Sequence, residues 1–80
     1  MWIRSQNGKI LVYCQALGFT KDGCKIAEVR DNDVLILGNY ETPEQAEYVM
    51  EMISQSVGVQ VGAFRMPKEV RIRNGEHSIR

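Results

Sequence analysis

The chain opens with short apolar runs separated by polar clusters. Trp2 to Ser5 forms a short strand. Asn7-Gly8 follows as a hairpin signal, because both residues tolerate positive φ in a type I′ turn. The run from Lys9 to Leu17 is rich in β-branched and aromatic residues and reads as a second strand. Gly18 and the cluster Lys21-Asp22-Gly23 break it. Cys24 to Arg30 is a third strand, and Asp31-Asn32-Asp33 is a turn, since Asx side chains bond their own backbone. Val34-Leu35-Ile36-Leu37 is apolar on both sides of the pleat, as expected of a central strand or one covered by a partner. It ends at Gly38-Asn39-Tyr40.

The period then changes to that of a helix. Thr42 is placed as N-cap, Pro43 as the first helical residue, and Gln45 as the second half of a capping box. Glu41, Glu44 and Glu47 suit the positive end of the helix dipole. Ala46, Val49, Met50, Ile53 and Val57 make one apolar stripe, and Gly58 closes the helix. Tyr48 and Met52 fall on another face. They form either a ragged edge of the same core or a contact surface for a second subunit.

Val59 to Met66 reads as the last strand, with Val59, Val61 and Ala63 pointing one way. Phe64 and Met66 break that alternation, so Gly62 marks a bulge. Pro67 ends the strand. The expected fold is α+β: an antiparallel sheet of about five strands with one amphipathic helix packed on one face. Residues 1–67 form this domain. Residues 68–80 form a basic tail with Lys68, Arg71, Arg73, His77 and Arg80 against Glu69 and Glu76. Val70 and Ile72 alternate with arginines there, and Asn74-Gly75 is a possible small turn. The tail is either a solvated terminus or an arm that clips onto a subunit or an anionic ligand.

Eighty residues make a single domain with a small interior. Stability beyond that interior must come from disulfides, a metal or association. A hairpin that turns over at Lys21-Asp22-Gly23 places Cys14 opposite Val29 and Cys24 opposite Phe19, too far apart for a bridge. The N-terminus, Met1 to Gln6, has no long apolar stretch of a secretory signal. Free, buried thiols and a cytoplasmic setting are therefore expected. Cys14, Cys24 and His77 lack paired ligand spacing, so no metal and no cofactor is expected. A homo-oligomer remains as the source of stability.

Ten basic and ten acidic residues cancel, which argues against an extended nucleic acid as partner. No apolar run approaches the roughly 20 residues that span a bilayer, so no membrane partner is expected.

No catalytic constellation is present, and the chain is not expected to be an enzyme. His77 lies in the tail with no rigid element to orient it. Cys14 and Cys24 sit in apolar strands with no base nearby in sequence. Glu28, Asp31 and Asp33 cluster around one turn, as a solvated turn does. Binding chemistry is better represented. Arg4 offers a planar fork for phosphate or carboxylate, Ser5 and Gln6 add directional hydrogen bonds, and Trp2 and Tyr40 supply flat faces for stacking. The plainer alternative makes Trp2 core, Arg4 solvated and Ser5-Gln6 the entry to a turn.

The opening Met1-Trp2-Ile3-Arg4-Ser5-Gln6, with Leu11-Val12 after it, resembles a group of small uncharacterised proteins of Firmicutes and their phages. The resemblance continues through Leu37-Gly38-x-Tyr40-x-Thr42-x-Glu44-x-Ala46 and ends at Met66-Pro67. It covers residues 1 to 67 and implies a phage or prophage setting, in which small proteins counter host defences. Acting there, such a protein works in the cytoplasm of the host cell. It implies no known activity; the missing catalytic set, the expected oligomer and the Arg/Ser/Gln/aromatic groups near one end of a sheet fit an oligomeric sponge for a nucleotide-like immune signal, of cyclic nucleotide or ADP-ribose type. The alternative is a protein-interaction module that inhibits a host protein through Val34 to Leu37, Tyr48, Met52 and the tail.

Overall fold

Two hairpin turns of one design start the fold. The structure, a computed structural model, describes residues 1–59 and 62–71. In the first turn the Gly8 N–H donates to the Ser5 carbonyl at 2.9 Å, and the Ser5 N–H donates to the Ile10 carbonyl at 2.8 Å. The Asn7 side-chain oxygen accepts from the Ser5 hydroxyl at 2.8 Å and from the Lys9 N–H at 2.9 Å. The second turn repeats each bond. Gly23 N–H reaches the Thr20 carbonyl at 2.8 Å, and Thr20 N–H reaches the Lys25 carbonyl at 3.0 Å. Asp22 accepts from the Thr20 hydroxyl at 2.7 Å and from the Cys24 N–H at 2.9 Å. Gly8 and Gly23 both take φ of 78°, and no other residue type in the described chain has positive φ. Asn7 therefore does not adopt the type I′ geometry expected of it. Its side chain acts as an acceptor inside a four-residue loop instead.

The first turn joins β1 (Trp2–Arg4) to β2 (Leu11–Tyr13). The second joins β3 (Leu17–Phe19) to β4 (Lys25–Val29), which a tight turn at Asp31-Asn32 connects to β5 (Val34–Asn39). After α1 (Pro43–Ser56) comes the two-residue β6 (Phe64–Arg65). The strands form two three-stranded sheets, in the orders β2-β1-β6 and β3-β4-β5. This corrects the single antiparallel sheet of about five strands, while the α+β class and the single helix stand. Six strands are present among the described residues, and β1 pairs with β6 in parallel.

The division has a local cause. The stretch from Lys9 to Leu17 is not one strand. Cys14 N–H donates to the Met1 carbonyl at 2.8 Å, so Cys14 still belongs to the first sheet. Ala16 accepts from Val29 N–H at 3.0 Å, so Ala16 already belongs to the second. The chain crosses between sheets at Gln15. Gly18 lies inside β3 rather than ending a strand, and Phe19 stands opposite Ile26, not Cys24. The last strand is short as well: among the described residues of Val59 to Met66, Phe64 and Arg65 form it. The position of Val61 and the tail from Ile72 onward, with Arg73, the Asn74-Gly75 turn, Glu76, His77 and Arg80, lie outside the described residues.

The helix matches its capping pattern. Thr42 Oγ1 accepts from Gln45 N–H at 3.2 Å, and Gln45 Oε1 accepts from Thr42 N–H at 3.2 Å and Glu41 N–H at 2.9 Å. Val57 is the C-cap, and Gly58, at φ 85°, turns the chain away. Ala46, Val49 and Ile53 are buried, and Met50 packs against the core half-buried. Val57, expected in the stripe, is exposed, because the helix has ended before it.

The core lies between the helix and the inner faces of both sheets. Ile3 and Phe64 come from the first sheet, Ile26 and Leu37 from the second, and Ala46, Val49 and Ile53 from α1. Fully burying side chains of this size stabilises by about 1.5–3 kcal/mol each. Gly38 allows the tightest contact. A Cβ there would sit 2.8 Å from Met66 Cε and 2.9 Å from the Tyr40 ring and hydroxyl. Among the described residues no helix is long and apolar enough to cross a membrane.

Candidate functional site

The outer face of the first sheet carries the side chains that the core does not use. Register puts Trp2 opposite Tyr13, and Arg4 between Leu11 and Arg65. The intervening Ile3, with its partners Val12 and Phe64, points inward. Alternation thus sorts three short strands into an apolar underside and an exposed surface.

Aromatic groups occupy one corner of that surface and cations the other. Trp2 and Tyr13 are about half exposed, and their rings meet edge to face with centroids 5.4 Å apart and planes at 75°. Leu11, 53 % exposed, lies beside them. Arg4 and Arg65 stand directly opposite each other on parallel strands. The three strands contain no acidic residue. Among the described residues the ion pairs are Lys25 with Asp22, Arg30 with Glu28 and Arg71 with Glu69, and neither arginine of this face takes part. Like charges directly opposite on neighbouring strands cost stability. An anion lying across both would remove that cost, with each guanidinium offering a planar set of donors.

Of the residues expected to bind a ligand, Trp2 and Arg4 are therefore brought together. The other three are occupied within the fold. Ser5 is buried, its hydroxyl donating to Asn7 and accepting from Ile10 N–H at 3.1 Å. Gln6 accepts from Asn39 N–H at 2.9 Å through Oε1. Its Nε2 donates to the Pro67 and Lys68 carbonyls at 3.3 and 3.1 Å. Tyr40 is buried, and its hydroxyl donates to the Pro67 carbonyl at 2.8 Å. Burial pushes that hydroxyl's pKa up to about 12, so Tyr40 has no open face for stacking. Tyr48 and Met52 are half-buried and pack against the core cluster. Tyr13, Leu11 and Arg65 were missed as site residues.

Other places offer less. A cleft of about 560 Å³ opens between Asn39–Glu41, Gln45 and Lys68–Arg71. Its Gln45 amide is already bonded to the Val70 carbonyl at 2.9 Å, and Val70 itself is buried in the core. The tail expected from Lys68 onward is thus packed on the domain as far as Val70. Both cysteines are free. Burial, and secondarily the Glu28 carboxylate, push the Cys14 thiol up, which makes it a poor nucleophile.

No family model matches the chain, and neither a curated protein nor a solved structure matches it.

Proposed function

We propose that this protein acts by binding, and that it holds a nucleotide-like anion on the outer face of the first sheet. The observation that carries this reading is the pairing of Arg4 with Arg65 beside an exposed Trp2–Tyr13 unit, with no acid in the three strands. Aromatic rings stack on bases irrespective of their identity, and arginines hold phosphate. Each guanidinium offers a planar set of donors to phosphate oxygens, which suits holding a ligand. Such a surface supports sequestration of a signal nucleotide, a role open to small proteins in the phage setting that the resemblance implies.

The test uses the chain's one tryptophan. Titration with adenine mononucleotides, ADP-ribose and cyclic dinucleotides should quench Trp2 fluorescence, and chromatography should return each ligand unchanged. Lack of a fluorescence or calorimetric signal with all of them, at about 100 μM protein, excludes binding tighter than roughly that level and ends this reading.

A second reading, contact with another protein, is favoured by the outer face of the second sheet. Val29, Val34 and Ile36 are 52 %, 53 % and 39 % exposed there, and Val29 stands opposite Val34. A host protein or a second copy of the chain would cover it, the latter giving the expected homo-oligomer. Under this reading, Val34→Lys with Ile36→Lys abolishes self-association or capture of the host protein while nucleotide binding persists.

A further inference from the structure

We propose that each copy of this face takes one nucleoside carrying at least two negative charges on a single phosphate or diphosphate group, the class of 5′-mononucleotides, nucleoside diphosphates and ADP-ribose, in preference to cyclic nucleotides. The proposal rests on the nucleotide-binding reading above and narrows it.

Charge is the first ground. The two cations converge at one register position, on strands spaced about 4.8 Å apart. A phosphodiester carries one negative charge and leaves one of the two arginines uncompensated. A terminal phosphate near neutral pH carries about −1.5 to −2, its second pKa lying near 6. A pyrophosphate brings at least as much charge to the same place. Only these neutralise both Arg4 and Arg65.

The aromatic corner is the second. Trp2 and Tyr13 meet at 75°, so the edge of one ring is turned to the face of the other. The pair is one stacking unit, not two parallel platforms. A cyclic dinucleotide presents two bases on either side of two separated phosphodiesters, and this face supplies a single aromatic corner and a single cationic corner. Trp2 and Arg4 lie on the same side of β1, two residues apart, or about 6.6 Å along the strand. That interval is spanned by one ribose between a base and its phosphate, with Leu11 alongside as an apolar floor.

The decisive comparison is AMP against 3′,5′-cyclic AMP, which share base and sugar and differ in phosphate charge. Calorimetry at pH 7.5 should give one AMP, ADP or ADP-ribose per chain. Each should bind at least about ten-fold tighter than cyclic AMP or cyclic di-AMP, the worth of added charge-assisted hydrogen bonds. AMP affinity should fall as the pH drops through about 6, where the phosphate gains a proton, while cyclic AMP affinity stays level. Arg65→Gln should erase the preference for AMP without lowering the unfolding midpoint, since Arg65 is exposed and loses only a like-charged neighbour. Equal or tighter binding of the cyclic ligands, with Trp2 still quenched, overturns the proposal and leaves the nucleotide-binding reading standing. Absence of binding by every ligand removes both.

Discussion

The main-chain N–H of Gln6 donates to the carbonyl of Leu37 at 2.7 Å, and this bond joins the turn of the first sheet to the edge of the second. The side chain continues the join. It accepts from Asn39 N–H on the same edge and donates to the carbonyls of Pro67 and Lys68. Gln6 therefore ties together three separate parts of the chain. Gln6→Ala is expected to destabilise the fold by about 1–3 kcal/mol, because it strips partners from three main-chain groups. Urea denaturation measures this. Gln6→Glu should be no better, since a carboxylate accepts from Asn39 but cannot donate to the two carbonyls. An unchanged midpoint in both variants would show that Gln6 is not a structural tie.

Gly38 is closed to side chains on steric grounds. Its missing Cβ leaves room for Met66 and for the Tyr40 ring. Met66 can swing aside, but Tyr40 is anchored at Pro67. Gly38→Ala should cost about 1–3 kcal/mol through overpacking. For a domain of this size that corresponds to a fall in Tm of about 4–8 °C per kcal/mol. Thermal unfolding followed by circular dichroism reads it.

Asp22 offers a test through its twin. Bonds from Cys24 N–H, the Thr20 hydroxyl and Lys25 hold its carboxyl at about 2. A lowered folded-state value means that its contribution is present above the ordinary carboxylate range and lost as pH falls through about 2. Asn7 fills the same place in the first turn with a neutral amide. Asp22→Asn should thus keep the turn's acceptor, lower the midpoint at pH 7 only by what the ionised carboxyl adds there, and flatten the acid limb of stability against pH. Asp22→Ala should lower the midpoint, because the turn loses its acceptor. Equal effects of the two substitutions would mean that the acceptor is irrelevant.

Tyr40 governs the alkaline side. Its folded-state pKa is raised to about 12 by burial. Stability from the neutral hydroxyl is fully present below the ordinary value of about 10 and is lost as pH rises through about 12. Tyr40→Phe should cost about 1 kcal/mol at neutral pH, the worth of one hydrogen bond, and should lessen the alkaline loss. Denaturation midpoints measured across that range decide it.

The thiols should react in sequence. Cys14 is buried and raised in pKa, while Cys24 is more accessible. An aromatic disulfide reagent at pH 8 should modify Cys24 fast and Cys14 only at the rate of opening or unfolding. Two equal fast phases would contradict the placement of Cys14 in the core.

Much of this was legible in the sequence where the signal is local. The helix from its capping box to Gly58 is an instance, because each cap residue acts on neighbours three or four positions away. The register of the first hairpin was legible too. A turn centred on Asn7-Gly8 already sets Trp2 opposite Tyr13 and Arg4 opposite Leu11. The second hairpin is centred in the same way on Asp22-Gly23, one position later than the pairing of Phe19 with Cys24 expected from the sequence. Serine or threonine, any residue, asparagine or aspartate, then glycine is the signal that both turns share. Long-range pairing left no local trace. Nothing in the period of Phe64-Arg65 says that it lies parallel to β1, so Arg65 could not be placed beside Arg4. Ser5, Gln6 and Tyr40 bear the chemistry of a binding site, and only their partners in the fold reveal that this chemistry is spent internally.

The exposed side of the first sheet contributes no residue to the buried cluster, whereas the ties at Gln6, Gly38 and Tyr40 lie elsewhere. Under the proposed function, recognition and folding are thereby written in different residues. Exchanging Trp2, Arg4, Leu11, Tyr13 and Arg65 for other exposed types would then change what is captured while keeping one scaffold.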